Sequence, residues 1–396
     1  MSKADLPVGW ETIKLGDVSK RMHQGINTTA DKIEYQNSGV PIIQAKHITS
    51  ETLNFDGARF VSQETFDSYK QKYYPRIGNI LFSNIGTIGR SLVVKQDANF
   101  LIAWNALLIE LVEGYDPFYI NAYLQYLNRG GYFEKLNTGN AAKFINSDSM
   151  KSVALDIPPL LEQRKIAKIL STWDEAIAKT EQLIAALQIR KKGLMQRLLS
   201  GEVRFEGFDG EWRETNVKNV FTLGRGRVIS QKYIAKHLGD YPVYSSQTSN
   251  NGVMGKISTF EFEGEYITWT TDGANAGTVF YRKGKFNCTN VCGTLKALRE
   301  NEIDLRFVAY QLGTIAKRFV SYVGNPKLMN NIFATIPIRL PSYAEQQKIA
   351  EVLQASDAEI ELHEKKLAAL QEQKKGLMQR LLTGQVRVKT GENHAK

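Results

Sequence analysis

Side chains able to hydrogen-bond a flat polar edge gather in two sets of glycine-punctuated loops. The first set holds Gln44 and Lys46 in VPIIQAKHI, and Asn84, Thr87 and Arg90 in or beside GNILFSNIGTIG (Gly78 to Gly89). The second holds Ser246, Gln247 and Thr248 in YPVYSSQTS, and Asp272 and Asn275 in GEYITWTTDGANAG (Gly264 to Gly277). A carboxamide offers a donor beside an acceptor and a guanidinium offers two parallel donors, the pairings that read adenine and guanine edges. Lys143 in TGNAAKF and Lys327 in VGNPKL suit phosphate contacts, which position without specifying. In YKQKYYPR, from Tyr69, Lys70 and Lys72 alternate with aromatics, as on a surface that tracks a nucleic-acid backbone. Each residue also has a plainer reading. Asn and Asp beside Gly are turn formers, and a surface lysine is usually only solvated.

Bond-making chemistry is harder to assemble from this chain. DIPPL at Asp156 superficially resembles the Asp-Pro-Pro-aromatic motif of amino-methyltransferases, but Ile157 interrupts it and no aromatic follows. FTLGRG at Phe221 misses the spacing of a cofactor-binding glycine loop, and no G-x-x-x-x-G-K-[ST] is present. The five histidines are scattered, and no set of nucleophile, base and orienting group emerges. Cys288 and Cys292 lack the further ligands of a structural zinc. As i, i+4 residues of one strand they would share a face as small buried hydrophobes.

At 396 residues, 42% hydrophobic and 23% charged, the chain is long enough for two or three globular domains. No apolar run approaches the roughly 20 residues of a membrane span. The opening MSKADLPVGW has no hydrophobic signal region, and two cysteines suit a reducing, cytoplasmic setting. The net charge of +10 points to a polyanionic partner. Its distribution is uneven: residues 1–160 balance at 16 basic and 16 acidic side chains, whereas 161–205 carry 9 against 5 and 206–344 carry 17 against 12. A first head that binds nucleic acid must therefore use a local patch.

The elements that would position the loops are announced by a repetition. EQRKIAKILSTWDEAIAKTEQLIAALQIRKKGLMQRLLSGEVRF (Glu162 to Phe205) recurs as EQQKIAEVLQASDAEIELHEKKLAALQEQKKGLMQRLLTGQVRV (Glu345 to Val388), offset by 183 with 25 of 44 positions identical. Apolar residues fall at Ile166, Leu170, Trp173, Ile177, Ile184, Leu187, Leu194 and Leu198, with Thr180 and Lys191 in the two missing places. The second copy has Ile349, Leu353, Ile360, Leu367, Leu370, Leu377 and Leu381, with polar Ser356, His363 and Lys374. Steps of three and four over five heptads are the mark of a coiled-coil seam. Pro158 and Pro159 precede the first helix, Ser342 and Glu345 have capping-box spacing, and Gly201 and Gly384 sit where C-terminal caps belong. At 1.5 Å per residue each helix would be about 57 Å long. The simplest arrangement zips the two together antiparallel. The alternative packs each on its own head. Gly193 and Gly376 interrupt the phrase KKGLMQRLL. Each implies either close approach by another backbone, such as a partner subunit, or a local bend.

The stretches before each helix share a grammar despite divergent residues. Each opens on a tryptophan (GWETIKLGDV, EWRETNVKNV), then runs through a proline-led strand, a glycine-led hydrophobic strand and a loop containing Gly-Asn and a lysine. Short β-branched and aromatic runs divided by Gly, Asn and Asp predict mostly β domains, with one helix each in FYINAYLQYL and DLRFVAYQLGTIAKRF. The expected fold is α+β and pseudo-twofold. Heads at 1–157 and 206–340 would be joined by helical regions at 158–205 and 341–396 forming an antiparallel coiled coil.

The EQ-x-x-I-A entry, the heptad helix ending in KKGLMQRLL-[ST]-G-x-VR and two variable heads opening on tryptophan resemble the specificity subunit of type I restriction–modification systems. The resemblance covers essentially the whole chain. The helix phrases are its most specific part, and the heads match as a pattern only. It implies a non-catalytic subunit in which each head, a target recognition domain, reads one half of a bipartite site in double-stranded DNA. It further implies that the helices set the spacing and dock two methyltransferase subunits, with restriction/translocase subunits joining the complex. S-adenosylmethionine, ATP and Mg would serve those partners, none of them this chain. Lys191, Lys192, Gly193 and Arg197, with their copies Lys374, Lys375, Gly376 and Arg380, are then the partner-binding candidates. The heads differ strongly in length and detail, so no family contact carries over to a particular loop residue. Two other readings stay open: a coiled-coil adaptor whose heads bind protein, and a fused enzyme with an unfamiliar active site.

Overall fold

Capping chemistry sets the helix starts. Asp116 precedes Pro117 and accepts the backbone N–H groups of Phe118 and Tyr119 at 3.0 and 2.9 Å. Asp304 caps the matching helix through Arg306 and Phe307 N–H at 2.9 and 3.1 Å. The computed structural model describes residues 6–49, 52–136, 144–299 and 301–389. They fold as two units, residues 1–182 with 365–396 and residues 183–364. Each unit combines one head with the first part of the helix that follows it and the last part of the other helix. Among the described residues no helix is long and apolar enough to cross a membrane.

The first unit runs through β1 (Glu11–Lys14), β2 (Ser19–Gln24), β3 (Val40–Ile43), β4 (Arg59–Val61), α1 (Gln63–Tyr73), β5 (Ile80–Ser83), β6 (Ser91–Val93), β7 (Leu101–Ile102) and β8 (Ala106–Leu111). It continues with α2 (Pro117–Arg129), α3 (Tyr132–Leu136), α4 (Ser147–Lys151), β9 (Ala154–Ile157) and the start of α5 (Leu160–Ser200). The strands form a sheet ordered β2-β8-β5-β6, a second ordered β4-β3-β7, and the pair β1-β9 that ties the head's beginning to its end. The second unit has β10 (Arg213–Asn216), α6 (Val217–Val220), β11 (Phe221–Arg225), α7 (Gln231–Lys236), β12 (Leu238–Tyr244), β13 (Val253–Ile257) and β14 (Phe262–Thr270). It closes with β15 (Val279–Cys288), β16 (Cys292–Ala297), α8 (Leu305–Ile315), α9 (Asn330–Phe333), β17 (Pro337–Leu340) and the start of α10 (Tyr343–Leu382).

The shared grammar of the heads is one topology. The six-stranded order β11-β16-β14-β15-β12-β13 repeats the first head strand for strand. Here one long β15 does the work of β6 and β7, pairing antiparallel with β14 and, at its far end, parallel with β12. In the first head residues 94–100 interrupt that strand, so the sheet divides in two. Cys288 and Cys292 flank the β15–β16 turn rather than lying along one strand. Both are buried, and each thiol faces the other.

The repeated helix phrase is explained by what it grips. Glu162 is buried and receives both arms of Arg387 at 2.7 Å, with the Trp10 indole N–H at 3.3 Å. The copies make the same pair in the second unit, Arg204 to buried Glu345 at 2.9 and 2.7 Å. The neighbouring glutamine clamps the head: Gln163 accepts the Asp116 N–H at 2.8 Å, and Gln346 the Asp304 N–H at 2.9 Å. Further along, Asp174 pairs with Lys374 and, in the other unit, Asp357 with Lys191. Residue numbers rise on one helix as they fall on its partner, so the helices pair antiparallel within each unit. Ile166, Leu170, Met378 and Leu381 join the first head's core, and Leu198, Ile349 and Leu353 the second's. Only half of the capping box forms: the Glu345 N–H donates to Ser342 Oγ at 3.3 Å, while the Glu345 side chain is committed to Arg204.

Removing an arginine from such a pair strands a buried carboxylate. Arg387→Ala is therefore expected to lower the stability of the first unit by about 2–4 kcal/mol, below the full value of a buried pair because Arg387 itself is partly solvated. Arg387→Lys, which keeps the charge but not the fork, recovers part of the loss. Calorimetric unfolding reads both, and a change under 0.5 kcal/mol for Arg387→Ala would contradict the assignment.

Candidate nucleic-acid interface

At one end of each head three chain segments are laced together by the same backbone bonds. In the second head Thr271 N–H donates to Val291 O at 2.9 Å and receives Leu328 N–H on its carbonyl at 2.9 Å. In the first, Asn84 N–H donates to Asn105 O at 3.4 Å and its carbonyl receives Ile145 N–H at 2.9 Å. Asp272 and Lys327 form a bridge beyond this point, as do Ile85 and Phe144. The loop after the glycine-led strand, the turn before the last sheet strand and the closing segment thus meet in both heads.

The second head gathers its candidates closely. Asn275 donates to Ser246 O at 3.4 Å, and Gln247 and Thr248 follow in the same loop. Gln247 spends its amide N–H on Val253 O at 2.6 Å, while Thr248 and Lys327 are exposed. Asp272 accepts the Thr271 hydroxyl at 2.6 Å and faces Arg225 Nη2 at 3.4 Å.

The first head is less uniform. Gln44 is half-buried beside Ala45, whose N–H donates to Asn105 Oδ1 at 3.2 Å. Thr87, Arg90 and Lys46 are exposed, the last donating to Gly57 O at 3.2 Å. Asn84, expected among the edge-reading side chains, is fully buried and holds the closing segment by donating to Ile145 O at 3.2 Å. A loop asparagine chosen by residue type proves to be a brace. Lys70 and Lys72 lie on α1, paired with Asp67 and placed over the Tyr73 ring respectively. Helix α1 packs Phe66, Tyr69 and Tyr73 on the core beneath β3, β4 and β7. Lys143 lies outside the described residues.

On the helices, Lys192, Arg197, Lys375 and Arg380 are exposed. Lys374 is buried against Asp174, and Lys191 is half-buried against Asp357 with its ammonium over the Tyr310 ring. These two seam positions are engaged inside the chain, because a lysine in a heptad core must bring its counter-ion with it. A Cβ added at Gly193 or Gly376 would meet nothing within 4 Å, so no described segment of this chain is the close neighbour that either glycine suggested.

Three residues of the loop clusters carried little signal in the sequence. Arg282 is buried, its guanidinium stacked 3.6 Å from Tyr244 and 4.3 Å from Phe280, with Nε donating to Thr268 at 3.2 Å. Burial draws its pKa below the usual arginine value. Trp104 is half exposed on the turn that ends in Asn105. Arg225 sits in FTLGRG, a segment legible only as a failed cofactor loop, and it is the last residue of β11.

Comparison with known proteins agrees with this geometry. The profile of the type I restriction modification DNA specificity domain matches residues 7–188 and 209–372. A putative type I specificity subunit N-terminus from Mycoplasma pneumoniae is 50% identical over 138 residues, 35% of this chain and 73% of that protein. The putative type I restriction enzyme MjaX specificity subunit of Methanocaldococcus jannaschii is 28% identical over 421 residues, 98% of this chain and 96% of that one. The crystal structure of the type I system S subunit from M. genitalium shares the fold, with a TM-score of 0.67, 17% identity and coverage of 96% and 98%. Two heads of one topology, each matched by the specificity-domain profile and each gripped by a copy of the same helix, place this chain in the type I restriction–modification DNA specificity family.

Proposed function

We propose that this chain is the DNA-recognition subunit of a type I restriction–modification complex, with each head reading one half of a bipartite duplex site. The observation that supports this most is the pairing of one backbone topology with two unlike sets of loop side chains on a duplicated scaffold. One duplex is then met twice through the same frame, with different hydrogen-bonding groups. The paired helices hold the two readers at a set spacing and present Lys192, Arg197, Lys375 and Arg380 to two methyltransferase subunits. Restriction/translocase subunits join that assembly. Catalysis, with its S-adenosylmethionine, ATP and Mg, resides in those partners, and the complex works in the cytoplasm on DNA with no membrane involved.

The test exchanges residues 10–157 for another first head and maps methylation by the assembled complex. One half-site is expected to change while the other persists. Change in both halves contradicts modular reading, and failure to retain any DNA with the partners present favours a protein-binding adaptor.

A further inference from the structure

One position, equivalent in the two heads and outside the candidates above, carries a side chain of base-reading type in both. It is the last residue of β2, Gln24, and the last residue of β11, Arg225. The equivalence follows from backbone register. Gln24 lies opposite Leu107 on β8, and Arg225 opposite Gly293 on β16. In each case a glycine comes next. A Cβ on Gly25 would fall 2.1 Å from Ile102 O, and one on Gly226 would fall 2.2 Å from Cys288 O. In each case the residue after that makes a parallel bridge, Ile26 to Ala103 and Arg227 to Thr289. The side chains then use the same anchor on the neighbouring turn: Gln24 Nε2 donates to Trp104 O at 3.0 Å, and Arg225 Nε donates to Asn290 O at 2.6 Å. The fixture is shared, and only the chemistry mounted on it differs.

What each side chain has left is informative. Gln24 keeps one amide N–H and its carbonyl oxygen, an adjacent donor and acceptor. Adenine presents the complementary pair at N6 and N7. Arg225 spends Nε on Asn290 and turns Nη2 toward Thr271 and Asp272, each at 3.4 Å. These contacts fix the plane of the guanidinium and occupy Nε and Nη2, and both N–H groups of Nη1 remain. It can offer only donors, which suits the O6 and N7 acceptors of guanine and not the amino group of adenine. Both side chains are partly exposed, and both stand at the loop clusters already described. Asp272 ties Arg225 to the Ser246–Asn275–Lys327 group, and the Trp104–Asn105 turn ties Gln24 to Gln44.

We infer that Gln24 and Arg225 are equivalent base-contacting residues, with Gln24 reading an adenine in one half-site and Arg225 a guanine in the other. This rests on the proposal that the heads read DNA and assigns one contact in each.

The experiment uses the full chain assembled with its methyltransferase partner, and equilibrium binding to duplexes carrying every single-base change in the wild-type methylation motif. For Arg225→Gln, which can keep the bond to Asn290, discrimination at one guanine of one half-site should fall by at least about fivefold or pass to adenine. All other positions should hold. Gln24→Arg should act likewise at one adenine of the other half. Arg225→Met and Gln24→Met, which keep bulk but lose the polar groups, should relax those same two positions without creating a new preference. Unchanged discrimination at every position would overturn the inference and leave both residues as turn braces. Uniform weakening at all positions would overturn it equally. A wild-type complex with no sequence preference at all would instead remove the DNA-reading proposal on which the inference stands.

Discussion

Gly226→Ala is expected to destabilise the second unit by about 3 kcal/mol, at the upper end of what an added methyl costs. The methyl would sit 2.2 Å from Cys288 O, 2.4 Å from Cys288 C and 2.4 Å from Thr289 O. All three are backbone atoms of the turn that β11 crosses, so no side-chain rotation can make room. Relief requires parting β11 from that turn, which breaks the bond from Arg227 N–H to Cys288 O at 3.1 Å. Gly25→Ala should do the same in the first unit, where Ile102 O, Ile102 C and Ala103 O lie within 2.5 Å. Gly313→Ala on α8, whose added methyl meets nothing within 4 Å, is the control and should be neutral or stabilising by up to about 1 kcal/mol. Denaturant unfolding followed separately for the two units measures all three. An unchanged midpoint for Gly226→Ala would show that the crossing is not the tight fixture described.

Trp269→Ala should cost the second unit about 3–5 kcal/mol. The ring is fully buried, stacks on Phe333 with centroids 3.9 Å apart, and fills the space left by Gly293 on the adjacent strand. Its indole N–H donates to Leu328 O at 2.9 Å. That bond fixes the closing segment immediately after Lys327. Trp269→Phe keeps most of the stack but leaves the Leu328 carbonyl unpaired in the core, and should cost about 1–3 kcal/mol. The two substitutions separate packing from anchoring. If Trp269→Phe proved as damaging as Trp269→Ala, the hydrogen bond and not the cavity would dominate.

Much of the scaffold was legible because its signals are local and periodic. The heptad steps from Ile166 to Leu198 and from Ile349 to Leu381 called for two long helices, and α5 and α10 follow them. Gly201 and Gly384 do cap the helices, at φ of 76° and 72°. The proline-led and glycine-led strands stand where their residue types put them. The loop candidates fared unevenly, for a physical reason. Residue type says what an Asn or Lys can bond, not whether a neighbour has already taken that capacity. Asn84 and Lys374 are spent on the fold, whereas Thr87, Thr248 and Lys327 remain at the surface.

The sequence by itself determined that this protein has two unlike heads, one duplicated helix and an apolar seam, since each follows from spacing along a single stretch of chain. Tertiary structure alone decided which groups meet. Glu162 finds Arg387 and Glu345 finds Arg204, so each copy of the helix is completed by the other. Gln24 and Arg225 share no surrounding sequence, yet strand register and a carbonyl from a distant turn bring both to one position in the fold. Periodicity is written in consecutive residues. Hydrogen-bond register joins residues far apart in the chain, and it exists only once the sheet has formed.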